Sequence, residues 1–399
     1  MSAAILFGSM AVMIGFGIPI AIVLGVSSAL TLIFSGAPLG VIPSMMQATV
    51  QKFSLLTIPL FVLAGAIMDK VAVVAALFFA AISGSGTATV AAMGSILIPA
   101  MVAQGYDAGF SSALSAISGS LGTVIPPSIT FIIYGMITGE SIGDLFLSGI
   151  VPGLIFGFML CIMVFIKSKK NGWKGETQRA SLKEIGRLFL DTIWGLLSPV
   201  IVLGGIYSGL FTPTEAAAVA VVYSLIVGIF IYKELRLAEL KETLFSTAKT
   251  TGMILLIIMN AGIFSWVLTQ QGIAASLTEM ALALTDNKYI MLVIINIVFL
   301  CAGCVMDNTS ALYILVPIIM PIAKALDINM IQLGVILVLN LSIGQVTPPV
   351  GPNLYVAADI GKVKFEEICR KMVPLLLMSL LALLCITYIP ALSLCLIPS

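Results

Sequence analysis

Ser118-Gly119-Ser120-Leu121-Gly122-Thr123-Val124-Ile125-Pro126-Pro127 recurs 222 residues later as Asn340-Leu341-Ser342-Ile343-Gly344-Gln345-Val346-Thr347-Pro348-Pro349. The register extends outward without a gap, so that Ser83–Leu154 falls on Val305–Leu376. All four prolines of the first copy then meet prolines: Pro99 meets Pro321, the two Pro-Pro pairs coincide, and Pro152 meets Pro374. Two consecutive prolines remove two backbone donors and drive the preceding residue out of helical geometry, so a helix should open at each pair. In a strongly apolar chain, matched segments interrupted by Gly and Pro are the best sequence pointer to a transporter's binding site.

The 399 residues are 60% hydrophobic and 9% charged, with a mean hydropathy of +1.17. Soluble domains carry roughly 25% charged residues, and a bilayer-spanning helix needs about 20 apolar ones. The composition therefore predicts an all-α polytopic membrane protein embedded in a lipid bilayer. Apolar runs lie near 5–34, 145–166, 193–211, 215–232 and elsewhere, and several others are too short to span, which predicts re-entrant hairpins. The opening Met1-Ser2-Ala3-Ala4 has no basic region, and the first run is too long for a signal peptide, so an ordinary span is expected there. A net charge of +1 gives no reason to expect nucleic acid as a partner, and the absence of histidine removes Ser-His and Cys-His nucleophile pairs and His-ligated haem or zinc. Cys301-x-x-Cys304 has redox spacing but sits in an apolar run, where packing is the expected role. No organic cofactor is expected.

Ten of the 37 charged residues lie between Lys167 and Asp191, seven of them basic. The positive-inside rule makes this linker, residues 167–191, cytoplasmic, and Leu182, Ile185, Leu188 and Phe189 suit an amphipathic surface helix within it. The linker divides the chain into a first half, 1–166, with a hairpin near 53–103 and a broken helix at 110–135. The second half, 192–399, has a hairpin near 251–323 and a broken helix at 330–360. The helix after Pro152 ends in the basic linker, whereas the one after Pro374 starts beside Lys362, Lys364, Arg370 and Lys371. The two copies are thus expected to cross the membrane in opposite senses, as an inverted repeat, with a periplasmic C-terminus.

Each copy also holds a polar cluster inside an apolar run: Ser83-Gly84-Ser85-Gly86-Thr87-Ala88-Thr89 in the first, Asp307-Asn308-Thr309-Ser310 in the second. Non-helical backbone in a membrane is tolerated only where protein buries it or it lines a wet cavity. Hydroxyls, carbonyls, amides and one carboxylate suit a small hard cation, with Na⁺ the natural candidate at two sites. Asp307, an acid within the membrane, is a functional-site residue by default; kinks and helix-packing contacts are the alternative reading of these clusters. No lysine or arginine lies near either motif, so an anionic solute would be held by backbone N–H groups, hydroxyls, Asn308, Asn353 and bound cations.

At these residues the chain resembles the large membrane subunit of tripartite ATP-independent periplasmic (TRAP) transporters. The stretches that carry the resemblance are Ile58–Gly65, Phe79–Gly86, Ile125–Ser128, Gly209–Ala216 and Met306–Thr309. The resemblance implies an elevator mechanism, Na⁺ coupling, a small four-helix membrane subunit and a periplasmic substrate-binding protein. It also implies an organic-acid substrate, with a sialic acid as the first expectation, and the bacterial inner membrane as location. Carried onto this sequence, the first Na⁺ site takes Ser83, Gly84, Ser85, Gly122, Val124 and Pro126, and the second takes Asp307, Asn308, Thr309, Gly344 and Thr347. Substrate is placed near Ser85, Pro127, Thr309, Pro349 and Asn353. Glu215 belongs to a family signature and reads most simply as an acid at a helix N-terminus. A self-sufficient carboxylate symporter or ion antiporter of similar design, and an intramembrane enzyme using Ser85 or Asp307, are the rival readings; the latter lacks a second intramembrane acid.

The family normally carries further residues between Lys70 and Val71. The repeat points the same way, because Ala64-Gly65 matches Ala261-Gly262 at a shift of 197, against 222 after Ser83. The 25-residue difference predicts a segment missing here rather than a natural deletion.

Overall fold

The computed structural model describes residues 1–68, 86–173, 181–233 and 235–397. Among these residues there is helix and no strand. Among the described residues seven helices are long and apolar enough to cross a membrane, spanning 86–103, 142–171, 213–231, 238–270, 288–305, 308–325 and 365–388. An eighth crossing is made if the bent pair formed by Val41–Val50 and Phe53–Ile67, which meet at 64°, is one span. The protein is a multi-pass membrane protein.

The first apolar run does not form one helix. It divides into α1 (Ser2–Gly15) and α2 (Ile20–Phe34), because Gly17 takes a left-handed φ of +72° and Pro19 cannot continue the helix. α3 (Val41–Val50) leads through a short 3₁₀ turn into α4 (Thr57–Met68). The first repeat then follows as α5 (Gly86–Ala103), α6 (Ala108–Leu121), α7 (Ile129–Thr138) and α8 (Ile142–Asn171). Much of the predicted linker is helical. α8 runs on through Lys169 and Lys170, whose charges favour its C-terminal dipole, to a left-handed cap at Gly172, and α9 (Leu182–Tyr207) begins well before Asp191. The side chains of Leu182, Ile185, Leu188 and Phe189, on which the amphipathic reading rests, lie outside the described residues.

After α10 (Pro213–Ile226) and the long α11 (Leu237–Gln270) comes α12 (Ile273–Leu284). The second repeat follows: α13 (Lys288–Val305), α14 (Asn308–Ala325), α15 (Met330–Gly344), α16 (Pro352–Gly361) and α17 (Phe365–Tyr388), before a last turn α18 (Ala391–Leu394). α5 and α14 coincide residue for residue at the 222-residue shift, and α6, α7 and α8 start within one residue of the counterparts of α15, α16 and α17. The peptides Pro126-Pro127 and Pro348-Pro349 are both cis. The copies differ in how deeply they are packed: 61% of α14 is buried but only 28% of α5. α14 is flanked by α7, α11, α12, α13 and α15.

Two groups of helices form. In one, α11 lies along α2, α3 and α4, and α10 packs on α4, where the hydroxyls of Thr57 and Thr214 meet at 2.7 Å in a buried contact. In the other, the repeats interlock, with α16 of the second copy against α5 and α6 of the first, and α15 against α13. Lipid is as apolar as leucine, so close packing and hydrogen bonds hold such helices together. Tyr134 illustrates both: its ring packs on Gly334, where a Cβ would sit 2.6 Å from it, and its hydroxyl donates to the Met330 carbonyl at 2.6 Å.

Candidate functional site

The helix breaks form as the prolines require. In the first copy α6 ends at Leu121, and Ser128 Oγ donates to the Thr123 carbonyl at 2.6 Å across the break. In the second copy α15 ends at Gly344, Thr347 Oγ1 donates back to the Ile343 carbonyl at 2.8 Å, and Gly351 turns into α16 with a φ of +51°. Gly122, Val124, Pro126 and Pro127 are buried, whereas Pro348 and Pro349 are exposed. The two breaks are alike in chain path and unlike in accessibility.

The second polar cluster sits where α13 gives way to α14. Asp307 is the N-cap of α14, with its carboxylate accepting from the Ser310 backbone N–H at 3.0 Å and the Ser310 hydroxyl at 2.6 Å. It is exposed, whereas Asn308 is buried and Thr309 half-buried. Four residues upstream, the Gly303 backbone touches Gly344, so closely that a Cβ on Gly344 would lie 2.6 Å from Gly303 Cα. Asn308 Oδ1 accepts from Gln345 Nε2 at 3.0 Å. Asp307, Asn308 and Gly344, three members of the predicted second Na⁺ site, are therefore held around one junction of α13, α14 and α15, with half-buried Thr347 on the same break. Of the predicted first site, Gly122, Val124 and Pro126 lie together at the α6 break; Ser83, Gly84 and Ser85 lie outside the described residues.

The first residues of α5 and α14, Gly86 and Asn308, occupy equivalent positions in the repeat and converge on the same side chain. Gln345 donates to Asn308, and its Oε1 lies where a Cβ on Gly86 would be 2.3 Å away. Asn353 completes the cluster, donating to Ser120 Oγ at 2.9 Å and reaching Gln345 Oε1 at 3.4 Å. The hydroxyls of Thr123 and Ser342 make a second buried hydrogen bond between the copies. Asn353, predicted to touch substrate, is fully buried between the copies, and Pro127 is buried too, while Pro349 is open. Gln345, Ser120 and Thr123 were not singled out by sequence. The available signal was the copy-to-copy difference, since Gln345 stands where the first repeat has only Thr123.

The donors fit a hard cation. They are oxygens of a carboxylate, hydroxyls and amides, and Asn353 Oδ1 is buried with no hydrogen-bond donor among the described residues. Among the described residues no group of three His, Cys, Asp or Glu could hold a transition metal. The N-terminus of α14 at Asn308 also favours negative charge beside this cluster.

Glu215 lies elsewhere. Its carboxylate accepts from the Thr212 backbone N–H at 2.8 Å while Thr212 Oγ1 accepts from the Glu215 N–H at 3.3 Å, a reciprocal capping box that starts α10. Beside it a crevice of about 640 Å³ runs between the α7–α8 turn, with Glu140 and Asp144, and the α9–α10 turn, with Tyr207, Phe211 and Pro213. Lys52 lines it as well, and none of the described ion or substrate residues does.

The chain matches the family model described as "Tripartite ATP-independent periplasmic transporter, DctM component" over residues 7–71 and 68–392. The match divides at the point where the repeat register changes. The chain is 40% identical over 398 residues to the C4-dicarboxylate TRAP transporter large permease protein DctM of Pseudomonas aeruginosa, covering 94% of this chain and 93% of that protein. It is 39% identical over 412 residues to the isethionate TRAP transporter permease protein DctMQ of Oleidesulfovibrio alaskensis, covering 97% of this chain but 65% of that longer protein. Its fold is similar to the crystal structure of the Alcanivorax borkumensis YdaH transporter, with a TM-score of 0.52, 15% identity, and coverage of 87% of this chain and 86% of that one. The matched helix breaks, the polar cluster between them and relatives that cover nearly all of the chain agree: the protein belongs to the TRAP transporter family, as a DctM-type large permease component.

Proposed function

We propose that this subunit carries a small organic acid across the inner membrane in symport with Na⁺, by an elevator movement. The observation that carries this reading is the convergence of two equivalent repeat positions, Gly86 and Asn308, the latter at the N-terminus of α14, on a buried amide cluster flanked by two opened helices. The N-terminus of α14 favours an anion, and the all-oxygen surroundings favour Na⁺ over a softer metal. Two Na⁺ sites, one per break, follow from the repeat. The interlocked repeats would be the moving body, with α2, α3, α4, α10 and α11 as the scaffold. The isethionate and C4-dicarboxylate relatives favour a small acid over the larger sialic acid suggested by general resemblance. As in a tripartite system, a small four-helix membrane subunit would brace the scaffold and a periplasmic protein would deliver the solute. The basic segment 167–191 would face the cytoplasm and the C-terminus the periplasm.

The test is reconstitution into liposomes with the partner subunit and candidate binding proteins, offering labelled isethionate, a C4-dicarboxylate and a sialic acid in parallel. Uptake is expected for one of the small acids, only with its binding protein, and should fall to background when the Na⁺ gradient is collapsed. Uptake that continues unchanged without the gradient would refute Na⁺ coupling, and uptake without any binding protein would favour a self-sufficient carrier.

A further inference from the structure

We propose that Gln345 and Asn353 form a hydrogen-bonded bridge that couples the two cation sites, making occupancy of one depend on the other. The proposal rests on the two-site reading above and adds how the sites communicate. The bridge runs from Asn308 Oδ1 to Gln345 Nε2 at 3.0 Å, from Gln345 Oε1 to Asn353 Nδ2 at 3.4 Å, and from Asn353 Nδ2 to Ser120 Oγ at 2.9 Å. One end is a residue of the predicted second site; the other lies two residues before Gly122 of the first. Relative exposure is 7% for Asn308 and Gln345 and zero for Asn353 and Ser120, so no link is exchanged for bulk water at little cost.

The bridge exists once, not twice. At the equivalent positions of the first copy stand Gly86, Thr123 and Phe131 in place of Asn308, Gln345 and Asn353. Side chains of that copy could not build a second bridge, and the bare Gly86 provides the space in which Gln345 and Asn353 lie. The two ion sites are thus chemically unequal, and a single amide pair spans the distance between them.

Coupling follows from the amide's two ends. A cation that draws on Asn308 Oδ1 shares that oxygen with the Gln345 N–H and weakens the hydrogen bond between them. Gln345 then shifts to restore the bond of its buried donor, and its rigid amide carries Oε1 with it. That oxygen is packed against Gly86 and faces Asn353, which is tied to the end of α6. Binding at the first site acts back through the same atoms, since coupling between sites is reciprocal.

The experiment is Na⁺-dependent uptake by the complete transporter in liposomes, with initial rates measured across a Na⁺ titration for wild type, Gln345→Met and Ser120→Ala. Methionine fills the volume of glutamine without its hydrogen bonds, and Ser120→Ala removes one hydroxyl at the far end. Wild type should respond sigmoidally, with a Hill coefficient near two. Gln345→Met should bring it to about one and raise the half-saturating Na⁺ about tenfold, within the roughly 5- to 150-fold range of such couplings. Ser120→Ala should lower the coefficient in the same direction, and it decides the matter if Gln345→Met fails to fold. A merely structural role would change the rate and leave the coefficient alone. Wild-type coefficients in the variants, or a coefficient of one in wild type, would overturn the bridge with Na⁺ coupling intact. Uptake indifferent to Na⁺ would overturn both.

Discussion

Gly344→Ala is expected to separate α13 from α15 and reduce transport at least tenfold. A Cβ at this position would lie 2.6 Å from both Cα and the carbonyl carbon of Gly303, and 3.1 Å from the Cys304 nitrogen. These are backbone atoms, so no rotamer change relieves the contact, and the helices must move apart by roughly 1 Å. Overpacking of this kind costs about 1–3 kcal/mol. Close approach of small residues is also how membrane helices gain their packing energy, so the loss falls on a main contact between these helices. The displacement occurs one residue from Gln345 and within the predicted second Na⁺ site. Gly157→Ala is the control: there a Cβ would meet only Leu121 Cδ2, at an ordinary 3.5 Å, inside a helix where alanine is the better helix former. Thermal unfolding of the purified proteins should show a clear loss for Gly344→Ala and little change for Gly157→Ala. Equal melting temperatures and equal uptake in the two variants would contradict the account.

The helix breaks were legible because proline acts locally. Pro126-Pro127 and Pro348-Pro349 forbid helix wherever they stand, and the polar residues around them mark backbone that cannot face lipid. The same rule was missed at Gly17-Ile18-Pro19, where an unbroken apolar run masked two helix breakers. Hydropathy measures partition into lipid and is blind to chain direction. In the basic segment 167–191, Lys169 and Lys170 carry charge but lysine is a good helix former, so charge located the segment without marking where α8 ends.

The candidate site was legible by composition and not by connection. The repeat pointed to Asp307, Asn308 and Gly344, yet the side chain that joins the copies belongs to Asn353, whose amide reaches Gln345 eight residues back and Ser120 in the other copy, 233 residues away. Such pairings arise from tertiary packing, and one sequence carries no trace of them beyond an unmatched amide. The break in register before Ser83 is a different case. The family match divides at residues 68–71, close to where the shift changes from 197 to 222, and the positions equivalent to α12 fall largely on residues 69–85, outside the described residues.

Asp307→Asn and Asp307→Ala separate the two roles open to the acid at the second cluster. As an N-cap, Asp307 satisfies the Ser310 N–H and holds the Ser310 hydroxyl. Asparagine caps as well as aspartate, whereas alanine loses the cap at about 1 kcal/mol. If capping were its whole function, Asp307→Asn would transport normally and Asp307→Ala would show a modest loss that follows stability. A cation ligand behaves differently, because the full negative charge, not the hydrogen-bonding shape, offsets the desolvation of Na⁺. Both variants are therefore expected to lose Na⁺-driven uptake almost completely, while Asp307→Asn keeps the wild-type melting temperature without Na⁺ and only Asp307→Ala melts earlier. Added Na⁺ should raise the melting temperature of wild type and do so far less in either variant, since a ligand that binds only the folded state stabilises it by mass action. Wild-type uptake and wild-type Na⁺ stabilisation in Asp307→Asn would reduce this residue to a helix cap and leave the second Na⁺ site without its only charge.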